Sequence, residues 1–511
     1  MLARSVAAYG FGIGLSAVAG VAAATSTGLA ALGIGSVFAA AAWLTLWRYY
    51  KVPVVTVAVL GVWAGYVWFN RDFADLHLSL GPLPVYVGEL LLLMSLPWAA
   101  SRVEWRRVQR TPFFIMLAAW MAFCAVRLIA GGLDYGIDAL RDSAIWYYGL
   151  FSLVGYVLWR AVSPEVWTRY FTVVFIALIV VTTGSLVSEA LGLTLQTAPR
   201  EDVLAASLIA AANFFLLAQR SAGHSVLRLL LSSMALALLV PLEVRSATIG
   251  VFILLGIFAL QRRWSTLLSM IGIPVVVFIL LAVANVPLPG RVGSTAGEFL
   301  DRQLSVVPLL LDGRVASNDV SLPSDSTTGT AVWRYTWWSA LIQDTLSTPE
   351  QTLVGVGFGA DITWPLGMDQ SNTERPLRSP HNIAVNLFAR TGVIGVVLWV
   401  VMLGVWLYSV LRGIDRALRA GKTAESDRLL WMCTYAVTIL VVALLGVVLE
   451  SPLAAIPFFL LLGMAVRNVE EFTTIAEPAV VGRVARLPTG GMIWRRPREV
   501  AETGAGRVVS H

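Results

Sequence analysis

Long apolar runs of about 17–22 residues alternate with short polar segments along most of the chain. A run of this length spans the roughly 30 Å hydrocarbon core of a bilayer as an α-helix. Helices are the expected form because lipid cannot satisfy free backbone hydrogen-bonding groups. The pattern therefore predicts an all-α, polytopic transmembrane helix bundle of about 12–14 spans, with one large extracytoplasmic loop that carries short helices.

The predicted spans and the segments between them set the expected domain organisation. The spans are residues 5–25, 28–47, 53–70, 82–100, 112–131, 144–162, 168–190, 203–219, 226–242, 246–261, 265–284, 391–411, 429–448 and 452–467. They define an N-terminal bundle (1–284), a polar loop (285–390), C-terminal helices (391–467) and a tail (468–511). The tail is rich in Gly, Pro and Arg and is expected to be disordered. Residues 1–25 are either the first span or a signal peptide.

Basic residues occur in every second loop, which predicts the orientation of the bundle. They include Arg48 and Lys51, SRVEWRRVQR from residue 101, QRRW from 261 and RGIDRALRAGK from 412. Basic loops stay in the cytoplasm by the positive-inside rule. Both termini are therefore expected in the cytoplasm, and the loop 285–390 on the extracytoplasmic side.

The composition supports a membrane protein and excludes several other classes. The chain has 511 residues, of which 57% are hydrophobic and 13% charged, with a mean hydropathy of +0.75. The net charge of +6 is explained by the basic cytoplasmic loops, so nucleic acid is not an expected partner. Cys124 and Cys433 lie within apolar runs and form no CxxC pair, which gives no support for a disulfide framework or a cysteine metal site.

The polar loop contains a tryptophan-rich stretch and a glycine-rich stretch. TAVWRYTWWSALIQDTL (330–346) has helical periodicity and predicts a helix at the membrane interface. Its Arg334 either extends to lipid headgroups or binds a phosphate through its guanidinium fork. VGVGFGAD (354–361) follows no βαβ strand, so it is either a tight turn or a backbone cradle for an anion.

A histidine stands where this loop meets the next apolar run, in RSPHNIAVNLFARTGVIG (378–395). His381 and Asn382 are predicted to begin a helix, and His381 either caps that helix or accepts a proton near pH 7. His77 is the other extracytoplasmic histidine. No HExxH, DxD or suitably spaced His or Cys accompanies His381, so we expect no metal.

Two further arginines stand at predicted outside ends of spans. Arg245 lies in EVRSATIG (243–250) and Arg141 in RDSAIWYYGLF from residue 141. Charges near hydrocarbon are costly, so each arginine either extends to the membrane surface or has a function.

Several of these motifs, in the same order, resemble the O-antigen ligase and polymerase superfamily. SPHNIAVNLFARTGVIGVVLW resembles its His-Asn pair at the end of the large loop, and EVRSATIG resembles the helix start before that loop. WRYTWWSAL and LVGVGFG resemble its loop arginine with an aromatic helix and its Gly-rich turn. The resemblance covers roughly residues 80–465.

The resemblance implies a multi-pass protein of the bacterial inner membrane that acts as an inverting glycosyltransferase. It would move a glycan from an undecaprenyl-diphosphate carrier to a lipid or glycan hydroxyl acceptor outside the cytoplasm, without a metal. His381 would be the base, and Arg245 and Arg334 would bind the donor diphosphate. Arg141, Arg378 and Asn382 are further substrate-binding candidates.

One position departs from the family pattern. Arg390 stands where family members often carry Glu, which suggests a reversed ion pair.

Two other functions remain open at this stage. A polymerase that joins lipid-linked repeat units is the nearest alternative, although polymerases tend to have two sizeable outside loops and this chain has one. A lipid or polysaccharide transporter or flippase is a more distant alternative, because the chain shows neither inverted repeats nor charges at mid-bilayer.

Overall fold

The computed structural model of the chain describes residues 53–80, 83–190, 200–217, 225–242, 244–283, 329–363 and 378–476. The predicted spans 5–25 and 28–47, much of the polar loop, and the tail beyond residue 476 lie outside these residues.

The described elements are nearly all helical. The first group is α1 (Val54–Phe69), α2 (Arg71–Ala74), α3 (Val87–Arg102), α4 (Trp105–Val108), α5 (Pro112–Tyr135), α6 (Ile137–Asp142), α7 (Ala144–Tyr148), α8 (Phe151–Ala161) and α9 (Pro164–Ala190). The second group is α10 (Glu201–Leu217), α11 (Ser225–Ala237), α12 (Leu239–Leu242), α13 (Arg245–Leu260) and α14 (Trp264–Val283). The third group is α15 (Gly329–Thr345), α16 (Pro349–Val354), α17 (Ile383–Arg419), α18 (Thr423–Ala443) and α19 (Pro452–Ala476).

Five of the described helices are long and apolar enough to cross a membrane, judged by length and composition. They are α5, α9, α17, α18 and α19, and shorter apolar helices lie in α1, α11 and α13. Most side chains of α18 and α19 are buried inside the protein, so these two helices form the centre of the bundle. The predicted fold class, an all-α polytopic helix bundle, is confirmed.

The expected start of the span 82–100 is wrong. Leu83–Tyr86 is a strand, β2, that pairs antiparallel with β1 (His77–Leu80), and His77 is opposite Tyr86. The helix begins only at Val87. Residues 81 and 82 are Gly and Pro, which favour a turn and interrupt the apolar run.

The expected continuous spans 144–162 and 391–411 also differ from the structure. The first is divided into α7 and α8 at Gly149 and Leu150. The second begins earlier, at Ile383, and bends at Gly392, whose φ of 62° suits glycine. A Cβ atom at Gly392 would lie 2.4 Å from the carbonyl carbon of Leu353, so the bend also lets α16 pack directly on α17.

Close backbone contact between α8 and α19 holds the centre of the bundle together. A Cβ atom at Gly155 would lie 2.2 Å from the carbonyl oxygen of Leu460, and one at Gly463 would lie 1.8 Å from that of Ser152. Small residues allow such approach between helices, which strengthens packing where no hydrophobic driving force acts.

Polar side chains are paired at both ends of the described bundle. At one end Glu104 pairs with Arg160 and Arg467, and Arg263 pairs with Asp427 at 2.6 Å. At the other end Asn70 and Arg200 exchange hydrogen bonds of 3.3 and 2.8 Å. We call the second end the site end, because it also holds His381.

Candidate functional site

Residues 378–382 form a short strap that crosses the site end and leads into α17. Asn382 is the N-cap of that helix, and its Oδ1 accepts hydrogen bonds from the backbone N–H groups of Ala384 and Val385. His381 lies just before the cap with a φ of 56°, a left-handed conformation that is uncommon outside glycine. The predicted helix start is thus correct to within two residues, and Asn382, not His381, caps it.

The strap is held by side chains from three other parts of the chain. They are Arg390, which donates to the carbonyl oxygen of Arg378 at 3.1 Å, Glu450, which accepts from the Ser379 hydroxyl at 2.9 Å, and Trp338, which donates to the carbonyl oxygen of Pro380 at 2.6 Å. An unfavourable backbone conformation persists only where its surroundings fix it. These contacts therefore explain why His381 can keep its conformation, and they set the direction of its imidazole.

The imidazole of His381 lies half-buried between an aromatic ring and two cations. The ring centroids of Trp337 and His381 are 6.4 Å apart. Burial and the positive charges of Arg334 and Arg200 lower the pKa of His381 from 6.5 to about 4. His381 is therefore neutral at pH 7 and can accept a proton.

Arg200 and Arg334, which we call the open pair, are held mainly by backbone carbonyl oxygens. Arg334 Nη1 donates to the carbonyl oxygen of Leu445 at 2.9 Å, and Arg200 Nη2 donates to that of Val447 at 2.6 Å. Nε of Arg334 is buried and has no hydrogen-bond partner among the described residues. A carbonyl fixes a guanidinium without cancelling its charge, so Arg334 can still bind an anion.

Asp202 only partly offsets the charge of the open pair. Its Oδ1 lies 3.4 Å from Nε of Arg200, and its charge opposes the effect of burial, which lowers the pKa of Arg334. Glu450 also acts on Arg200, so the two guanidinium groups of the open pair are partly compensated.

Arg378 and Arg390, which we call the scaffold pair, instead share the carboxylates of Asp142 and Asp138. Asp142 accepts from Nε and Nη2 of Arg378 at 3.1 and 2.9 Å, and its Oδ2 lies 3.0 Å from Nη2 of Arg390. Asp138 adds a contact of 3.3 Å to Arg378. The hydrogen bond to Asp142 is the main reason that the pKa of Arg378 is raised. The ion pair suspected at Arg390 exists, and its carboxylate comes from α6.

The glycine-rich stretch is a turn that packs between α5, α6 and α17. Gly355, Gly357 and Gly359 all have positive φ, and a Cβ atom at Gly355 would lie 2.3 Å from the carbonyl carbon of Arg390. The carbonyl oxygen of Gly355 accepts from Arg127 at 2.8 Å. The turn is therefore packed on neighbouring backbone and contributes to the scaffold around Arg390.

The predicted site residues are only partly brought together by the structure. Arg334 and His381 meet, whereas Arg378 is turned to the carboxylates of Asp138 and Asp142. Arg141 is exposed on α6.

Arg245, which the sequence assigns to the diphosphate, is the first residue of α13. A Cβ atom at Gly250 of that helix would lie 3.6 Å from Cγ2 of Thr438, near the end of α18 that leads to the site. This packing brings the start of α13 to the site end.

Arg200, Glu450 and Asp142 are site residues that the sequence reasoning missed. Arg200 stands in TAPRED, an outside loop where a basic residue contradicts the positive-inside preference. Glu450 is the single charged residue between Arg428 and Arg467, in an otherwise apolar stretch. Such isolated charges are costly in a membrane protein and were the available signals.

The fold and this site define a polytopic membrane protein that presents a neutral imidazole beside two partly compensated cations at one end of its bundle. A protein-family model described as O-antigen ligase matches residues 229–400, which include Arg245, Arg334 and His381. The match confirms the resemblance to the O-antigen ligase superfamily over this part of the chain. No curated protein matches the chain.

Proposed function

We propose that this protein is a membrane glycosyltransferase that moves a glycan from an undecaprenyl-diphosphate carrier to a hydroxyl acceptor at the extracytoplasmic face of the inner membrane. One observation carries the proposal. His381 is a neutral imidazole held beside the open pair at the site end. This arrangement suits a reaction that deprotonates a hydroxyl group and releases a diphosphate.

In the proposed reaction, the acceptor oxygen attacks the anomeric carbon of the donor glycan while His381 takes the hydroxyl proton. The new bond joins acceptor oxygen to anomeric carbon, and the bond from that carbon to the diphosphate oxygen breaks. Its electron pair stays on the diphosphate. Attack opposite the leaving group inverts the anomeric centre.

The open pair would stabilise the charge that develops on the diphosphate. Cations that are already in place when the diphosphate leaves lower the barrier for this step. In other enzymes a divalent metal ion has this role. Arg334 is the principal donor because its Nε has no hydrogen-bond partner in the described part of the chain, and Arg245 joins it from the start of α13. We propose no metal and no cofactor for this step.

The remaining candidates have smaller proposed roles. Arg141 is exposed and could contact the glycan, whereas Arg378 and Asn382 act mainly by holding the strap.

We favour a ligase over a polymerase because the sequence has one long polar segment between its predicted spans. The acceptor is then a finished lipid or glycan instead of another repeat unit.

The test compares the lipid-linked glycans of cells that carry wild-type protein, the His381→Ala variant or no protein. We expect both deficient strains to accumulate undecaprenyl-linked polymer while the acceptor stays bare. Accumulation of single repeat units would indicate a polymerase instead. Retention of wild-type transfer by His381→Ala would overturn the assignment of the base and reopen the transporter alternative.

The matched control is His77→Ala. His77 lies in the β hairpin, where its Nδ1 is 2.8 Å from the carbonyl oxygen of Asp75, and it contacts neither the strap nor the open pair. Equal abundance of all variants in the membrane is confirmed by immunoblotting.

A further inference from the structure

We propose that Glu450 is a positioning residue, which holds the strap through Ser379 and so aims the imidazole of His381 at the acceptor hydroxyl. The inference rests on the proposed function, because it assigns a role within the same reaction. Neither the sequence motifs nor the family match, which ends at residue 400, includes Glu450.

The contact between Ser379 and Glu450 can affect His381 because the two strap residues are close along the chain. The Ser379 hydroxyl donates to Oε1 of Glu450 at 2.9 Å, and Ser379 is two residues before His381. Between them lies Pro380, whose ring fixes its φ angle, so movement at Ser379 passes directly to His381. The left-handed conformation of His381 depends on such restraint.

The loop that carries Glu450 also positions the open pair. This loop, residues 444–451, joins α18 to α19, and its Leu445 and Val447 carbonyl oxygens accept from Arg334 and Arg200. One short segment therefore fixes both the base and the cations of the proposed reaction. Their relative placement is then set by the two central helices of the bundle.

Burial of the Glu450 carboxylate costs free energy, and neighbouring groups offset part of that cost. Burial raises the pKa of Glu450 to about 6, while the Ser379 hydroxyl and the charges of Arg390 and Arg200 oppose that shift. Asp142 acts in the same direction as burial. Glu450 is ionised at pH 7 under these influences and is a strong hydrogen-bond acceptor for Ser379.

The experiment uses purified full-length protein in proteoliposomes, with lipid-linked glycan extracted from cells that lack the protein and acceptor from the same cells. We expect Glu450→Ala and Ser379→Ala each to lower kcat by about 10–100-fold, because misplacing a catalytic group costs rate. The KM for the donor should stay within about twofold, since the open pair keeps its carbonyl partners.

Two further variants separate positioning from a general loss of structure. Glu450→Gln keeps an oxygen that accepts from Ser379, so it should restore kcat to within about threefold of wild type. The double variant Ser379→Ala/Glu450→Ala should be no slower than either single one, because both remove the same contact. The matched control is Ser451→Ala, whose hydroxyl contacts the backbone N–H of Leu453 at 3.4 Å and not the strap.

The possible outcomes distinguish this inference from the proposed function. Wild-type kcat in both Glu450→Ala and Ser379→Ala, or equal effects on kcat and KM with no recovery in Glu450→Gln, would overturn the positioning role. Absence of transfer by the wild-type protein, or full transfer by His381→Ala, would instead overturn the proposed function. Thermal unfolding in detergent identifies any variant that is merely unstable.

Discussion

Two pairs of arginines lie on either side of the strap, and their partners differ in kind. The scaffold pair surrounds the carboxylate of Asp142, and the side chains of Arg390 and Asp142 are only 2% and 5% exposed. The open pair is held chiefly by the neutral carbonyl oxygens of residues 445 and 447. Buried charges need either a counter-ion or a reason to remain uncompensated.

The comparison separates arginines that build the site from arginines that act in it. The scaffold pair joins α6, the glycine-rich turn, the strap and α17, because its guanidinium groups also bind the carbonyl oxygens of Gly359, Gly357 and Ala360. The open pair is only partly compensated by Asp202 and Glu450, and it lies next to His381. Sequence alone treats all four as arginines near a membrane surface, so the difference appears only through their partners.

The largest effect is expected from Asp142→Asn, which breaks the scaffold side of the comparison. This change leaves the buried guanidinium of Arg390 without its ion-pair partner and Arg378 with Asp138 alone, and it should lower the free energy of unfolding by about 3–5 kcal/mol. Thermal unfolding in detergent and the amount of protein in the membrane measure the effect.

Asp138→Asn is the control. Its side chain is 46% exposed and also contacts Arg378, so the cost should stay below about 1 kcal/mol. Similar values for the two variants would contradict the scaffold role.

Arg334→Ala should show the opposite profile, a loss of activity with little loss of stability. Removing a cation from a developing diphosphate charge should lower kcat/KM by about 10²–10³-fold. Arg334→Lys should recover part of this, because an ammonium keeps the charge but not the fork. Initial rates with extracted lipid-linked glycan give the comparison.

Arg71→Ala provides the control for charge at the site end. Arg71 is 68% exposed and pairs with Asp75 at 3.6 Å, so its loss should leave the rates unchanged. A pronounced unfolding of Arg334→Ala, with normal turnover of the folded fraction, would assign Arg334 to the scaffold instead.

Much of the fold could be predicted from the sequence, because apolar run length and basic-loop alternation depend on local composition alone. The all-α bundle and the start of α17 near His381 follow from those signals. The divided helix at Gly149 and the bend at Gly392 do not, since each lies where another helix approaches closely. The β hairpin has a local signal in Gly81 and Pro82, which a count of apolar residues overlooks. Mean hydropathy over a stretch of sequence carries no information about backbone contacts with another helix.

The candidate site could be predicted only in part for a similar reason. His381 and Arg334 stand out because they are unusual residues in recognisable motifs. Arg200, Asp142 and Glu450 are between 69 and 239 residues away from His381 along the chain, and only the fold brings them to the site end. Whether an arginine is neutralised is likewise a property of its surroundings and not of its motif.

The pH dependence of turnover sharpens the comparison, because the charge of the open pair acts on His381. In the free protein the pKa of His381 is about 4, so kcat/KM should fall only as the pH drops towards 4 and His381 becomes protonated. A bound diphosphate offsets the charges of Arg334 and Arg200, which raises this pKa. The acid limb of kcat should therefore lie at least about one pH unit above that of kcat/KM. Coincident limbs would show that the open pair and the diphosphate do not meet.

The smallest expected effect, Asp202→Asn, has the opposite sign from the others. The change removes the carboxylate that lies 3.4 Å from Nε of Arg200, while its side-chain oxygen can still accept from the backbone N–H of Val203. The open pair then carries more net charge, so the KM for the lipid-linked donor should fall by about two- to fivefold at low salt. The gain should shrink as salt rises, because screening weakens charge interactions that are open to solvent. A rise in KM would mean that Asp202 aligns Arg200 for the donor, and that the open pair depends on a carboxylate as the scaffold pair does.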